Sequence, residues 1–285
     1  MPSDLDDLRA AFVHQISLFG PIIPGGEIVV EEYQREPIHI ETVPEVTTEN
    51  PPVETESRKR AESDAPLAVD VEKETPESEP VLSAYDRIAA LIPRGSPMLD
   101  MTTLEELSEY VAQTELIELD KTRLNPVFGV GNPEADLLVI GEAPGADEDE
   151  KGEPFVGRAG KLLTKILQSI GFEREDVYIA NILKSRPPNN RKPEPAEVQA
   201  HLPILHKQIT LIRPKLVLCV GKTAGTSLLG LQSTLGEMRG TFHDYHGLPV
   251  LVTYHPAALL RNGNWKRPTW EDVQLLRARY DELTA

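Results

Sequence analysis

The stretch DLLVIGEAPG, residues 136–145, decides the fold. Its first half is an unbroken apolar run, which reads as a strand buried on both faces of a parallel sheet. Gly141 and Gly145 then open a tight turn whose backbone can approach a ligand closely. Glu142 falls at the carboxyl end of that strand, where open α/β sheets place their ligands. The turn continues as ADEDEKGEPFVGRAG (146–160), in which Phe155 lies between Pro154 and Val156. Arg158 starts a periodic helix with apolar positions at 162, 163, 166, 167 and 170. A carboxylate, glycine turns and an aromatic in one loop suggest a site that grips a flat, polar ring.

Working outward, strand-like runs recur at 136–141, 176–182, 215–221 and 248–254. Helical patterns fall at 158–170, 194–212, 222–230 and 269–283. This alternation predicts an α/β domain with three layers, α/β/α, around a central four-stranded parallel sheet. Ahead of it, 85–92 reads as a short helix stopped by Pro93. Residues 102–117 read as a longer helix, with Thr103 and Glu106 spaced as a capping box. The domain is expected to span 83–285. Residues 21–82 are rich in Pro, Glu, Thr and Ser and read as a disordered acidic tether. Residues 1–20 hold an isolated amphipathic helix candidate, 3–19, with Ser3 as its N-cap. That segment is either a partly formed helix or a peptide that docks on a protein partner.

The charge is unevenly spread. The chain of 285 residues carries 46 acids, 29 bases and a formal charge of −17. Residues 1–95 account for −12 of it, whereas 121–285 carry +2. The acidic total therefore does not exclude nucleic acid, because steering follows local charge. No apolar run is long enough to cross a bilayer, and no secretory leader pattern stands at the start. Cys219, the one cysteine, lies within an apolar strand, so no intramolecular disulfide can form. These features predict a cytoplasmic protein with no membrane association.

Three further strand ends carry polar residues to the same rim. Asn181 closes the second strand; its side-by-side donor and acceptor suit a base edge, or it simply terminates the strand through backbone bonds. The loop KSRPPNNRKP (184–193) follows, with Lys184, Arg186, Arg191 and Lys192 available for phosphate contacts or for ordinary solvation. GKTAG (221–225) resembles a phosphate turn but lacks P-loop spacing, and it reads as a helix start. The last strand runs into TYHPAALLR (253–261). His255 precedes a proline, which biases it away from helical geometry and lets its ring enter the site. Leu259 and Leu260 on a loop tip are either core caps or a wedge for a base stack, with Arg261 beside them for phosphate. No metal-binding spacing is visible, and the acidic run 147–150 lacks that of an EF-hand.

Together GEAPG, PFVGRAG, YIAN, K-S-RPPNNRKP, RG (239–240) and TYHPAALLR, in this order, resemble a uracil-DNA glycosylase of the family 4 type over roughly residues 101–280. The resemblance implies a nucleoid-associated monomer, an enzyme that flips uracil out of DNA and hydrolyses its N-glycosidic bond to start base excision repair. By the same likeness, Gly141, Ala143 and Gly145 would bind uracil through backbone groups. Glu142 would help position or activate the attacking water, Phe155 would stack on the ring and Asn181 would read its edge. His255 would stabilise the departing anion, and Leu259 and Leu260 would fill the gap in the duplex. Members of this type hold a four-iron, four-sulfur cluster on four cysteines. The corresponding positions here are Thr114, Ile117, Ser185 and His201, none of which supplies a thiolate. The expectation is therefore no metal and no cofactor, with helix 102–117 packed hydrophobically instead and Ile117 filling core. A catalytically degenerate DNA-binding paralogue is the alternative, and a small-molecule nucleotide hydrolase is a third reading.

Overall fold

The computed structural model describes residues 82–285. The 1–20 helix candidate and the 21–82 tether lie outside that range, apart from Leu82. Short helices α1 (Ala84–Ala89) and α2 (Leu104–Gln113) come first, followed by the two-residue strand β1 (Val130–Gly131). The chain then runs through β2 (Leu137–Gly141), α3 (Ala146–Lys151), α4 (Arg158–Gln168), β3 (Tyr178–Asn181) and α5 (Pro195–Ile212). Next come β4 (Leu216–Val220), α6 (Lys222–Leu229), α7 (Leu235–Met238), β5 (Phe242–Tyr245) and β6 (Leu248–Thr253). Helices α8 (Pro256–Arg261) and α9 (Lys266–Thr284) complete the domain.

The sheet has six strands in the order β1-β3-β2-β4-β6-β5. Its four inner strands are parallel, as the apolar runs require. The two edge strands are antiparallel, which corrects the four-stranded expectation. Both edges escape a reading by hydrophobic run for physical reasons. β1 is only two residues long, and β5 is FHDY, largely half-exposed and polar. A two-residue turn, His246-Gly247, joins β5 to β6 with both residues at positive φ, +55° and +97°. That is the hairpin geometry usually signalled by Asn-Gly.

Alternate residues of each inner strand face opposite layers. Leu138, Ile140, Val217, Cys219, Val250 and Val252 pack with Leu205 and Ile209 of α5. Leu137, Val139, Ile179, Leu216, Leu218 and Leu251 pack with Leu163 and Leu167 of α4 and with Val273 and Leu276 of α9. Cys219 is fully buried at the centre of β4, and burial pushes its thiol pKa up. Among the described residues no helix is long and apolar enough to cross a membrane.

Helix α2 has the expected Thr103–Glu106 capping box but ends at Gln113, four residues before the predicted end. The backbone N–H groups of Leu116 and Ile117 donate instead to the Asp120 carboxylate, at 2.8 and 3.2 Å. A side-chain acceptor thus takes over donors that a longer helix would have satisfied internally.

From β2 the chain passes to β3 on one side and then to β4 on the other. The β2–β4 boundary is therefore a topological switch point, and a crevice forms outside the strand ends there. Register pairs Gly141 with Asn181 and Val220 with Thr253, so the loops after all four parallel strands emerge on one rim.

Candidate active site

A cleft of about 390 Å³ opens on that rim. Glu142, Ala143, Gly145, Phe155, Asn181, Arg191, His255 and Arg261 line it, so eight of the residues singled out from the sequence share one cavity. Gly141 lies beneath. A Cβ there would stand 2.3 Å from Asn181 Oδ1 and 2.6 Å from the Phe155 ring, so only glycine lets these two groups meet.

Phe155 reaches the cleft on a strained backbone, with φ at +54°. Such strain persists only where surrounding structure enforces it. Gly160 in α4 supplies part of the enforcement, since a Cβ there would fall 1.7 Å from the Phe155 carbonyl oxygen. Glu148 of α3 supplies more. Its carboxylate accepts the N–H groups of Gly145 (3.0 Å), Val156 (3.0 Å) and Gly157 (3.1 Å), stapling the glycine turn to the aromatic loop. In the sequence Glu148 reads only as one member of the acidic run 147–150. Its signal was the G-x-x-E spacing of a capping box at Gly145.

The Asn181 side chain is buried, and its Oδ1 has no hydrogen-bond partner in the protein. An unpaired buried acceptor costs roughly 1–3 kcal/mol, a cost that a bound donor would relieve. The His255 ring stacks on Phe155 with centroids 5.6 Å apart. Its Nδ1 accepts the Ala257 N–H at 3.1 Å, which leaves Nε2 as the protonated nitrogen of a neutral ring. Burial, reinforced by the Arg261 charge, pushes its pKa down to about 4. At neutral pH the cleft therefore presents an uncharged N–H donor here.

Behind His255, the end of β6 is clamped from α9. Thr253 Oγ1 donates to Asp272 Oδ2 at 2.6 Å, and Arg239 forks onto the same carboxylate at 3.1 and 3.0 Å. Burial raises the pKa of Asp272 against the opposing pull of these two donors.

The basic and apolar candidates divide. Lys184 is fully buried, and its Nζ donates to the Asn181 carbonyl (2.8 Å) and to Gln208 Oε1 (2.7 Å). Burial lowers its pKa to about 7. It faces the interior, which corrects its assignment to phosphate. Arg186 donates to Asn190 Oδ1, and Arg191 forks onto Glu197, whereas Lys192 and Arg261 are exposed. The segment expected to be a loop tip is helix α8, whose periodicity separates its leucines. Leu259 is 2% exposed and packs in the core layer it shares with α4, which corrects its wedge assignment, whereas Leu260 is 46% exposed.

Thr114, Ile117, Ser185 and His201 gather around Asp120. Ser185 Oγ donates to Asp120 Oδ1, and His201 Nδ1 accepts the Lys184 N–H. Thr114, Asp120, Arg123 and His201 enclose no space even for a water molecule. A hydroxyl, an imidazole already bonded at Nδ1 and a guanidinium do not fit an iron–sulfur cluster, which needs thiolates and room. The packing there is polar rather than hydrophobic, which corrects the expectation for this end of α2, although Ile117 does pack on the core edge.

A family model described as the uracil DNA glycosylase superfamily matches residues 128–275. The Type-4 uracil-DNA glycosylase of Archaeoglobus fulgidus is 44% identical over 168 residues, covering 56% of this chain and 84% of that protein. The Type-4 uracil-DNA glycosylase of Thermotoga maritima is 42% identical over 182 residues, covering 61% and 95%. The Type-5 uracil-DNA glycosylase of Thermus thermophilus is 30% identical over 152 residues, covering 46% and 68%.

Proposed function

Because the chain belongs to the uracil-DNA glycosylase superfamily, hydrolases of N-glycosyl bonds, we infer that its cleft excises uracil from DNA. The observation that carries this reading is the unpaired Asn181 Oδ1, set beside Phe155 and the His255 Nε2 donor in one cavity. Uracil offers the matching chemistry: a flat face for Phe155, an N3–H for Asn181 Oδ1 and an O2 acceptor for His255.

The base must leave the duplex to reach such a pocket, at a cost of a few kcal/mol. Leu260 fills the space it vacates, and exposed Lys192 and Arg261 contact backbone phosphates. As the glycosidic bond lengthens, the sugar gains oxocarbenium character and negative charge collects on the uracil O2. A fixed N–H donor aimed at that oxygen stabilises the transition state more than the ground state, an effect worth about 3 kcal/mol for comparable donors. Nε2–H of His255 is that donor. Glu142, at the end of β2, orients the water that attacks the sugar. The glycine turn from 141 to 145 lines the pocket with backbone and excludes bulk solvent from the leaving anion. The reading requires no cofactor, and the side chains gathered around Asp120 support a cluster-free protein.

The test is incubation of the full chain with single- and double-stranded oligonucleotides containing uracil, followed by alkaline cleavage. Strand breaks are expected with the parent, and their rate should fall about 100-fold or more in Asn181→Ala and His255→Ala. Retained DNA binding without strand breaks would leave the degenerate paralogue as the correct reading.

A further inference from the structure

Outside the cleft, three separate segments converge on one buried carboxylate. Asp120 is 3% exposed and lies in a 3-10 turn over 118–122. Its Oδ2 takes the Leu116 and Ile117 N–H groups already described. Its Oδ1 accepts from Ser185 Oγ at 2.5 Å and stands 3.0 Å from His201 Nε2 and 3.4 Å from Arg123 Nη1. Burial alone would raise the carboxyl's pKa, yet the adjacent His201 ring and the hydrogen bonds from Ser185 and Leu116 hold it well below the usual range.

Each partner passes the connection on. Arg123 Nη2 donates to the carbonyls of Val111 (2.7 Å) and Thr114 (3.0 Å), which close the end of α2. His201 of α5 accepts the Lys184 N–H at 2.8 Å, and Lys184 Nζ in turn donates to the Asn181 carbonyl at 2.8 Å. A continuous polar path thus runs from α2 through Asp120 to the base of Asn181. The same path flanks the start of the 184–191 loop, whose Pro187, Asn190 and Arg191 line the cleft.

We propose that Asp120 is a positioning residue: through Ser185, His201 and Lys184 it fixes the loop that brings Asn190 and Arg191 to the cleft and braces the end of β3 at Asn181. It ties together with hydrogen bonds the chain segments that a metal cluster would otherwise cross-link. The geometry favours this over a passive filler role. A buried carboxylate is tolerated only when its lone pairs are matched, and here they are met from its own turn and from two groups distant in sequence, Ser185 and His201. The tie concerns the order of the loop in the free protein. Only its kinetic consequence rests on the glycosylase reading.

The experiment compares the full chain with Ser185→Ala and Asp120→Asn by amide hydrogen exchange without DNA, then by steady-state kinetics on a uracil oligonucleotide. Ser185→Ala removes one hydroxyl from the path and keeps the rest of the fold. Amides of 184–191 should exchange about tenfold faster in both variants while β4 amides keep the parent rate. KM should rise several-fold with kcat within about twofold of the parent, a split that general loss of stability does not produce. Chelator treatment of the parent should leave loop exchange unchanged. Parent-like exchange at 184–191 in both variants, a uniform acceleration that includes β4, or chelator-sensitive loop exchange would each overturn the proposal. If the parent itself makes no strand breaks, the glycosylase reading fails while the exchange data still judge the tie.

Discussion

At His255 two observations agree on one protonation state. Nδ1 is committed to the Ala257 N–H, and burial with the Arg261 charge pushes the pKa from 6.5 down to about 4. Buried His206, bonded through Nε2 to the Tyr245 hydroxyl, is likewise lowered to about 4. Between pH 4 and 6.5 the unfolded chain therefore binds more protons than the folded one, so stability rises with pH across that window and is lost on acidification through it. Ring 15N spectra at pH 6 should show His255 neutral and protonated at Nε2. A charged ring at that pH would remove the basis for its role as an uncharged donor. That Glu142, Phe155, Asn181 and His255 would meet at one cleft was legible in the sequence, because each lies in a segment that follows a strand or a glycine turn. Asp120 was not legible in that way. Two of its partners are the side chains of Ser185 and His201, 65 and 81 positions away, and no local pattern records such contacts.

Among the elements, α8 shows how a helix reassigns neighbouring side chains. One residue of helical advance sends Leu259 into the core beside α4 and Leu260 to the surface. Leu259→Ala should cost about 2–5 kcal/mol of stability in chemical denaturation, the usual range for a buried leucine. Leu260→Ala should leave stability within about 0.5 kcal/mol and slow uracil release from duplex more than from single strands, because only a duplex has a gap to fill. The reverse pattern would return the wedge role to Leu259. The inner strands and the long helices were readable because each is a continuous apolar run or a clear period. The edge strands and α8 were not, because β1 is two residues long, β5 is polar and six residues hardly define a helical period.

Over the whole molecule, charge and fold are separable. Residues 1–80 carry 19 acids and 6 bases, whereas the rest of the chain is close to balanced. Like-charge repulsion between the leading segment and DNA acts over about 10 Å at 0.1 M salt and fades as salt rises. Removing residues 1–80 should therefore tighten DNA binding several-fold at low ionic strength, with the two forms converging above roughly 0.5 M salt. A salt-independent difference would mean that the segment acts by direct contact instead of by its field.

The position of Cys219 has a practical corollary. A thiol sealed at the centre of β4 cannot meet a reagent until the sheet parts. With no second cysteine in the chain to blur the signal, the rate of alkylation becomes a one-site clock for opening of the sheet. The same sealed thiol leaves the surface chemically silent. A single cysteine introduced at the rim would accept a fluorophore selectively, and base capture could be followed one molecule at a time.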